Sequence, residues 1–330
     1  MSDTSQPPGA VQKKPRIGVV VVTHRPAGGL EGRLSRMSAQ GDAMVVVDNA
    51  SGPEARVSLE ETCTRHGWEL IANPENRGIG VALNQGVARL AEKEFEWVIL
   101  FDQDSKPEPG MSGRMAASLQ SHPKSDRVGV VGAAFQERAT ARQHRFLRPH
   151  PLFPCLFQKI EPMGKDLLGV TSVITSGSLV RVAAMENAGR FDEAFFIDYV
   201  DTDFCLRCRR QGWLTMVSAA AHFTHELGRR ERRWWGGMEM EPTHHSPVRH
   251  YYMARNRIAM WRRHAAAVPH WALYDFCFAL YNYFRVAVFE TGRWRKFRAV
   301  CLGTWDGLRG RSGPCPESRQ RALLEGHAPS

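Results

Sequence analysis

The 330-residue chain contains no long uninterrupted run of apolar residues. Its most apolar segment, Trp271 to Phe289, is interrupted by Asp275, Asn282 and Arg285, and no window reaches the about 18 uncharged residues that a membrane-spanning helix needs. The opening stretch MSDTSQPPGAVQKKPR has none of the apolar core of a secretory signal. We therefore expect that the chain does not span a membrane and that residues 1–15 form a disordered leader.

Cysteine is scarce and irregularly spaced. The seven cysteines are an odd number spread along the chain, unlike the dense, even spacing of a disulfide-stapled secreted domain, so a reducing compartment is expected. Cys205 and Cys208 have no second pair at a zinc-binding spacing, and no structural zinc site is expected. With 43% apolar and 24% charged residues, the composition is that of a globular protein.

Basic charge is concentrated in the last third of the chain. Residues 1–228 contain 26 basic and 26 acidic residues, whereas residues 229–330 contain 18 basic and 8 acidic residues, the whole net charge of +10. A basic region rich in tryptophan and tyrosine is typical of contacts with nucleic acid, anionic lipid headgroups or an anionic acceptor. The alternative is helix packing with a solvated basic face.

Apolar runs alternate with helix-compatible stretches, a βαβ rhythm that predicts an α/β fold with a mainly parallel sheet. The predicted strands are Ile17–Val22, Met44–Val47, Trp68–Ile71, Trp97–Phe101, Val128–Val131 and Leu214–Ser218. The predicted helices are Leu30–Gln40, Glu54–His66, Ile79–Glu92, Met111–Leu119, Arg181–Ala188 and Asp201–Gly212. The pattern weakens over residues 136–166, which we expect to be an irregular excursion near the sheet edge, and it is helical from about Gly228.

Two carboxylates follow the strand that ends at Phe101. Asp102 and Asp104 are two residues apart, so at strand spacing their side chains point the same way and repel each other without a counter-charge. A hard cation such as Mg²⁺ or Mn²⁺ supplies that charge through oxygen ligands and substrate phosphates. The alternative is a solvated acidic turn before Pro107, but the position directly after a buried strand favours the metal site.

A second acidic cluster, in FFIDYVDTDFCLR, contains Asp201 and Asp203 at a predicted helix start. Either residue could simply cap the helix. The functional interpretation makes Asp201 a general base that takes a proton from an acceptor hydroxyl. Further along, His225 is either a ligand to the metal or pyrophosphate or a buried, hydrogen-bonded histidine, and the sequence leaves both open.

Polar residues at other strand ends complete the candidate cleft. Thr23 and Asp48 end the first two predicted strands, and ligands of open α/β sheets bind beyond such carboxyl ends. Gly78, two residues after Asn76, stands at a helix entrance where a backbone can approach a ligand closely, although a plain loop-to-helix turn explains it equally well. The chain lacks G-x-G-x-x-G spacing and a Gly-rich Lys-Ser or Lys-Thr loop, so NAD-linked and P-loop functions lose support.

In combination, these motifs resemble the family 2 glycosyltransferases, and most closely bacterial rhamnosyltransferases, over roughly Arg16 to Arg257. The resemblance is carried by VVVVTHRP, VVVDNAS, NRGIGVALNQG, WVILFDQDS, SGSLVRVAAMENAGRFDEAFFIDYVDTDFCLR, HELG and YYMARNR, with GTWDGLRGR near the end. It implies a GT-A fold that binds a nucleotide sugar, with residues 16–228 as the catalytic domain and residues 229–330 as a basic, aromatic-rich helical region. It also implies transfer with inversion at the anomeric carbon.

The resemblance assigns roles by position. It implies Thr23 and Asp48 near the nucleoside, Asn76 and Gly78 in the nucleotide pocket, Asp102 by the ribose and metal, Asp104 as principal metal ligand, Asp201 as base and His225 near the metal and diphosphate. The usual acidic residue directly before the base is Val200 here, which leaves open whether Asp203 or Asp198 shares the role.

The expected donor is a dTDP-sugar, above all dTDP-rhamnose, and the expected acceptor is a polysaccharide or lipid-linked glycan of cell-wall or O-antigen synthesis. The expected cofactor is Mg²⁺ or Mn²⁺. The alternatives are a UDP- or GDP-sugar donor, or a non-catalytic glycan- or nucleic-acid-binding protein; nucleic-acid binding would leave the paired carboxylates unexplained. We expect the protein in the cytoplasm; the sequence leaves open whether its C-terminal region lies on the anionic inner face of the membrane or packs on the catalytic domain.

Overall fold

The structure, a computed structural model, describes residues 15–137, 143–225, 233–235, 238–240 and 244–325. Its strands are β1 (Ile17–Thr23), β2 (Ala43–Asn49), β3 (Glu69–Asn73), β4 (Trp97–Asp102), β5 (Lys106–Pro107), β6 (Val128–Glu137), β7 (Phe146–Pro149), β8 (Phe157–Ile160), β9 (Leu167–Leu168), β10 (Ser178–Arg181), β11 (Leu214–His225), β12 (Arg233–Trp235) and β13 (Met238–Met240). Its α-helices are α1 (Leu30–Ser38), α2 (Pro53–His66), α3 (Ile79–Ala91), α4 (Met111–Ser121), α5 (Val182–Ala188), α6 (Val200–Arg210), α7 (Pro247–His264), α8 (Pro269–Phe289), α9 (Arg293–Leu308) and α10 (Glu317–Glu325). All but the last residue of the expected leader lies outside the described residues.

The central sheet has the strand order β3-β2-β1-β4-β10-β6-β11-β5, and β9 also pairs with β11. Strands β1 to β4, β6 and β11 run in one direction, whereas β5, β9 and β10 run against them. Thr23 is the register partner of Asp48, and Val22 is the partner of Asp102. Because these three parallel strands end level, the polar residues at their carboxyl ends lie side by side at one edge of the sheet.

The apolar runs form strands because helices cover both faces of the sheet. Every residue of β1 is buried, as are all residues of β2 except its first. A parallel strand buried on both faces needs apolar side chains at consecutive positions instead of an alternating pattern. The predicted α/β fold with a mainly parallel sheet is therefore confirmed.

The segment that precedes β9 contains a hairpin that the sequence did not predict. Strands β7 and β8 pair antiparallel, with Phe146 opposite Ile160, so the prediction of irregular structure over residues 136–166 is wrong for these strands. Each strand has only four residues, too few for a readable alternation. The hairpin packs on α8, where the rings of Phe157 and Tyr274 lie 5.4 Å apart.

The prediction of a helical chain from about Gly228 is wrong for β12 and β13, which pair antiparallel; the described helices of this region begin at Pro247. These C-terminal helices pack on one another and on the sheet domain. A Cβ at Gly303 of α9 would overlap the carbonyl oxygen of Tyr251 in α7, so the two helices can approach closely only because this residue is glycine. Between them the hydroxyl of Tyr251 donates to the buried Asp306, at 2.7 Å. Met260 of α7 and Trp271 of α8 belong to the same apolar core as the sheet. No described helix has both the length and the hydropathy to cross a bilayer.

Candidate active site

The ends of β1 and β2 are tied together beneath the cleft. The Thr23 hydroxyl donates to Asp48 Oδ1 at 2.9 Å, and the Ser51 backbone N–H donates to Asp48 Oδ2 at 3.1 Å. The Ser51 hydroxyl also donates to Asp48. Thr23 and Asp48 are almost fully buried. Their polar groups therefore fix the geometry of the strand ends, and two of the residues expected near a nucleoside lie together.

Asn49, which the sequence analysis did not single out, organises the loop before α3. Its side-chain amide donates to Asn76 Oδ1 at 3.0 Å and to the Gly78 carbonyl at 3.2 Å, and its Oδ1 accepts from the Arg77 backbone N–H at 3.0 Å. Asn76 Oδ1 also accepts from the Gly78 N–H, at 2.9 Å. The two residues expected in a nucleotide pocket, Asn76 and Gly78, are thus fixed next to the end of β2.

Gly78 brings this loop against the segment that leads into α6. Its φ of +86° lies in the region that favours glycine, and a Cβ there would lie 2.7 Å from the Phe196 carbonyl oxygen. The same oxygen accepts the Ile79 N–H at 2.8 Å. The expected nucleotide loop and the segment before the expected base are consequently in direct contact.

Asp102 is the last residue of β4, whereas Asp104 lies in the turn that follows, and both are half-buried. The expectation that strand spacing points both side chains the same way is therefore wrong, because the strand ends before Asp104. The Asp102 backbone is held by the Ser176 hydroxyl, which accepts its N–H at 3.3 Å, and by the Ser105 N–H, which donates to its carbonyl at 3.1 Å. The Asp104 carboxylate accepts no hydrogen bond from any residue that the structure describes. A half-buried carboxylate of this kind suits a divalent cation.

The described residues hold no group of three or more histidine, cysteine or acidic side chains arranged around a metal position. Mg²⁺ is commonly held by one or two carboxylates together with water and substrate phosphates, so the pair at the end of β4 fits such a site. The side chain of His225 lies outside the described part of the chain, although its backbone belongs to β11 and pairs with Glu137. Its role near a metal stays a prediction.

Asp201 lies in the first turn of α6 and is half-buried. Burial raises the pKa of its carboxyl to about 6, and the negative charges of Asp198 and Asp102 add to this rise, against the hydrogen bonds from Thr202. The Thr202 backbone N–H donates to Asp201 Oδ1 at 2.7 Å. The segment directly before this turn contacts the loop at the carboxyl edge of the sheet, with the Ile79 N–H 2.8 Å from the Phe196 carbonyl oxygen, so the first turn of α6 lies beside the strand ends.

Arg249 of α7 adds a positive charge to this acidic cleft. Its guanidinium donates to Asp198, at 2.9 Å from Nη2 to Oδ1 and 3.2 Å from Nε to each oxygen. Burial lowers the pKa of Arg249, but the negative charges of three aspartates outweigh this effect and hold the pKa above its ordinary value. Asp198 has the largest influence of the three, followed by Asp102 and Asp201. Arg249 thus offsets part of the repulsion among the three carboxylates.

The segment that leads into α6 is strained. Phe196, Asp198 and Tyr199 have φ values of 66°, 62° and 66°, a region in which residues other than glycine are uncommon. Such strain persists only where the surroundings impose it, and it is concentrated at functional sites. Here it fixes the direction in which the first turn of α6 enters the cleft.

Side chains from α7 and α8 impose this conformation. The Asn256 side-chain amide donates to the carbonyls of Phe195 and Ile197, at 3.0 and 2.8 Å. The Tyr199 hydroxyl donates to Asp275 Oδ1 at 2.6 Å. The C-terminal helices therefore hold the segment on which the position of Asp201 depends.

Asp203, the other acidic residue of this turn, faces the protein interior and is fully buried. Its carboxylate accepts from Arg207 Nε and Arg263 Nη1, both at 2.7 Å, and lies 2.9 Å from His264 Nε2. Burial raises the pKa of Asp203, but the bond to His264 and the two arginines bring it below the ordinary value. This arrangement favours a structural tie between α6 and α7 over a role at the substrate.

A cavity of about 240 Å³ opens next to the first turn of α6. Its walls come from the strained segment, the β7–β8 hairpin, α6, α7, α8 and adjoining loop residues. The lining includes Asp198, Tyr199, Thr202, Arg145, Lys159, Tyr274 and Phe278. It offers an apolar, aromatic wall and two cations beside the residue that follows Asp201.

Residues 18–189 match the sequence model of Glycosyl transferase family 2. The chain belongs to this family. It is 28% identical over 299 residues to the dTDP-rhamnosyl transferase RfbF of Shigella flexneri, covering 90% of this chain and 97% of the relative. It is 27% identical over 248 residues to the N-acetylglucosaminyl-diphospho-decaprenol L-rhamnosyltransferase of Mycobacterium tuberculosis, covering 64% of this chain and 77% of the relative.

Among solved structures, residues 1–349 of S. aureus TarS in complex with UDP-GlcNAc match with a TM-score of 0.55 and 17% identity, over 94% of this chain and 84% of that one. This likeness bears on the fold alone. The predictions of a GT-A fold and of a family 2 glycosyltransferase similar to rhamnosyltransferases are therefore confirmed.

Two side chains that hold the candidate site of this glycosyltransferase, Arg249 and Asn256, were not predicted. Both lie about 50 to 60 residues from the segment they contact, so no spacing in the sequence links them to it. The motif YYMARNR does contain Asn256, so the position of Asn256 within that motif was the available signal. The glycosyltransferase site is thus supported from the C-terminal helices as well as from the sheet.

Proposed function

We propose that this glycosyltransferase moves L-rhamnose from dTDP-rhamnose to a hydroxyl of a polysaccharide or lipid-linked glycan, with inversion at the anomeric carbon. The observation that carries the proposal is the contact between the Gly78 loop and the segment before α6, with the Ile79 N–H 2.8 Å from the Phe196 carbonyl oxygen, because it brings the first turn of α6, with the candidate base Asp201, to the strand-end edge that would receive the diphosphate. The choice of rhamnose rests on the similarity to two proteins named as rhamnosyl transferases.

In the proposed step, Asp201 takes the proton of the acceptor hydroxyl while that oxygen bonds to the anomeric carbon. The bond from this carbon to the diphosphate oxygen breaks, and its electron pair leaves with dTDP. Attack opposite the leaving group inverts the configuration. A pKa of about 6 leaves Asp201 mostly ionised at neutral pH yet basic enough to accept a proton in the transition state.

Asp104, with Asp102, would hold Mg²⁺ or Mn²⁺, and His225 is proposed as a further ligand. When bound, such an ion offsets the negative charge that develops on the departing diphosphate. Thr23, Asp48, Asn76 and Gly78 are proposed to form the nucleoside and nucleotide pocket. The strand-end hydrogen bonds support this assignment because they pre-order the loops that would surround the nucleotide.

The cavity beside Thr202 is proposed as the acceptor site. Tyr274 and Phe278 supply an aromatic wall against which a sugar ring can pack, and Lys159 supplies positive charge for an anionic acceptor, whereas Arg145 is already paired with Glu161 at 2.7 Å. We propose that the enzyme works in the cytoplasm, at the inner face of the membrane, where such acceptors are assembled.

The test is a transfer assay with the purified full chain, a lipid extract as acceptor, and radiolabelled dTDP-rhamnose, UDP-sugars or GDP-sugars as donors in the presence of Mn²⁺. We expect transfer from dTDP-rhamnose, and a loss of about 10²- to 10⁴-fold in Asp201→Asn. Asp126→Asn is the matched control, since Asp126 is exposed and, among the described residues, its carboxylate accepts no hydrogen bond; its backbone carbonyl accepts one from Arg181.

Transfer from a UDP- or GDP-sugar but not from dTDP-rhamnose would refute the proposed donor. Full activity in Asp201→Asn would refute the proposed base. A nucleotide at about 100 times its Kd adds about 2.7 kcal/mol to the free energy of unfolding. A melting temperature that does not change with dTDP, UDP or GDP would therefore refute the proposal that the protein uses a nucleotide-sugar donor.

A further inference from the structure

Helix α8 carries its polar residues inward and its apolar residues outward. Its charged and amide side chains, Asp275, Asn282 and Arg285, are all buried. The outward positions are occupied by Leu273, Phe276, Leu280, Tyr281 and Val288, each between 37% and 55% exposed. At 1.5 Å per residue this apolar face is about 22 Å long. A surface helix of a water-surrounded protein has the opposite pattern.

The polar face of α8 is held inward by specific bonds. Asp275 Oδ2 accepts from Arg257 Nε at 3.0 Å and from the Trp261 indole N–H at 2.9 Å. Asp275 Oδ1 accepts the Tyr199 hydroxyl. Turning the helix to bury its apolar face would break these buried bonds and leave the arginine unpaired, so the outward apolar face is a fixed feature of the fold.

Basic and aromatic residues flank the far end of this face. Three residues separate α8 from helix α9, which begins with the exposed residues Arg293, Trp294 and Arg295, and Trp294 is 78% exposed. Tryptophan is favoured at the boundary between lipid and water, and arginine there is attracted by anionic headgroups. The end of α8 thus has the side chains of a bilayer interface.

The near end is flanked in the same way by the β7–β8 hairpin, which packs on α8. The hairpin loop exposes Leu152, Phe153 and Leu156, at 76%, 57% and 44%. Lys159 of this hairpin is exposed and lies with its Nζ 4.7 Å from the centre of the Tyr274 ring. The apolar face therefore continues onto a second element and again ends in positive charge.

We propose that the outward face of α8, the β7–β8 loop and the start of α9 form one docking surface that lies on an anionic lipid bilayer. Large exposed apolar patches with polar rims mark interaction sites, and the positive charge at both ends identifies the partner. Two copies of the chain paired through this surface would bring like charges together in either orientation of the helices. A bilayer with anionic headgroups complements both ends.

The docking surface adjoins the proposed acceptor site, and the following step rests on the proposed function. The cavity beside Thr202 is lined by Tyr274 and Phe278 of α8 and by Lys159 of the hairpin, the two elements that would lie on the bilayer. A lipid-linked acceptor held in that bilayer would then bring its saccharide to Asp201 without leaving the membrane. The docking surface thereby selects acceptors that are attached to lipid.

The test is flotation of the full chain with vesicles of phosphatidylcholine, alone or mixed with phosphatidylglycerol. We expect binding to the mixed vesicles, weakened about thirtyfold or more in the double variant Leu273→Ser, Leu280→Ser, since both side chains lose apolar contact. Val57→Ser is the matched control, because Val57 is 54% exposed on α2, outside this surface. Arg293→Gln should weaken binding to the mixed vesicles about fivefold.

Absence of flotation with the mixed vesicles, or flotation that the double variant leaves unchanged, would overturn the proposal. So would a dimer in sedimentation velocity that the double variant dissociates, since a second copy would then cover the surface. Binding of dTDP in lipid-free buffer is measured alongside by calorimetry. Its absence in the unmodified chain counts against the proposed function and leaves the docking surface untouched, while equal binding in the double variant shows that the fold is intact.

Discussion

Replacement of Asp201 by asparagine should stabilise the fold at neutral pH while removing the proposed base. Burial, with Asp198 and Asp102, raises the pKa of this carboxyl in the folded chain from 3.8 to about 6. The folded chain therefore binds this proton more tightly than the unfolded chain. The resulting stabilisation is complete below the unfolded value and is lost as the pH rises through about 6.

The magnitude follows from the difference between the two pKa values, which corresponds to about 3 kcal/mol. Because the carboxyl keeps some contact with solvent, we expect a penalty of about 2 kcal/mol at neutral pH. Asparagine has the same shape, can accept the Thr202 N–H through its amide oxygen, and carries no charge at any pH. Asp201→Asn should therefore gain about 2 kcal/mol at about pH 8 and almost nothing at about pH 4.

The assay is urea unfolding of both chains at these two pH values, without nucleotide or added metal, with Asp126→Asn as the control for a surface carboxyl. The control should show no comparable pH-dependent gain. An equal effect of Asp201→Asn at both pH values, or a loss of stability at the higher pH, would show that the cleft does not hold Asp201 as a strained anion.

Three further expectations concern the same site. Asp104→Asn should abolish the Mn²⁺-dependent part of the dTDP-induced rise in melting temperature with little effect on the unliganded protein; a rise that survives would remove Asp104 from the metal site. Asp203→Ala should lower the free energy of unfolding in urea by about 3–5 kcal/mol, because Arg207 and His264 would be left without their buried anion; a loss below about 1 kcal/mol would contradict the structural tie. The rate of transfer, measured as kcat/KM against pH, should rise through about pH 6 as Asp201 ionises; a flat profile across that range would exclude it as the base.

The sheet could be predicted because its strands are buried on both faces. Burial of every residue of β1 requires the consecutive valines that made the run visible in the sequence. The placement of Asp102 followed from the same reasoning, since the end of an apolar run marks the end of a strand. The register of β1 against β2 places Thr23 beside Asp48, as expected for two residues at the carboxyl ends of neighbouring parallel strands.

The separate fates of Asp201 and Asp203 could not be predicted from their spacing. Residues two apart on a helix point about 200° apart, so one of the pair must face away from whatever the other faces. Which one faces the cleft depends on how α6 is rotated, and that is set by contacts with α7, such as the one from Asp203 to His264. Those contacts join residues about 60 apart in the chain, and no local pattern encodes them.

The most direct test of the shared cleft is a crystal structure of the full chain with dTDP and Mn²⁺, in which the anomalous signal locates the metal. The account predicts Mn²⁺ bound by the Asp104 carboxylate and by the diphosphate, with the Asp201 carboxylate facing the same hollow. A dTDP-bound structure with Mn²⁺ away from Asp104, or with Asp201 on a surface that the nucleotide does not reach, would contradict it.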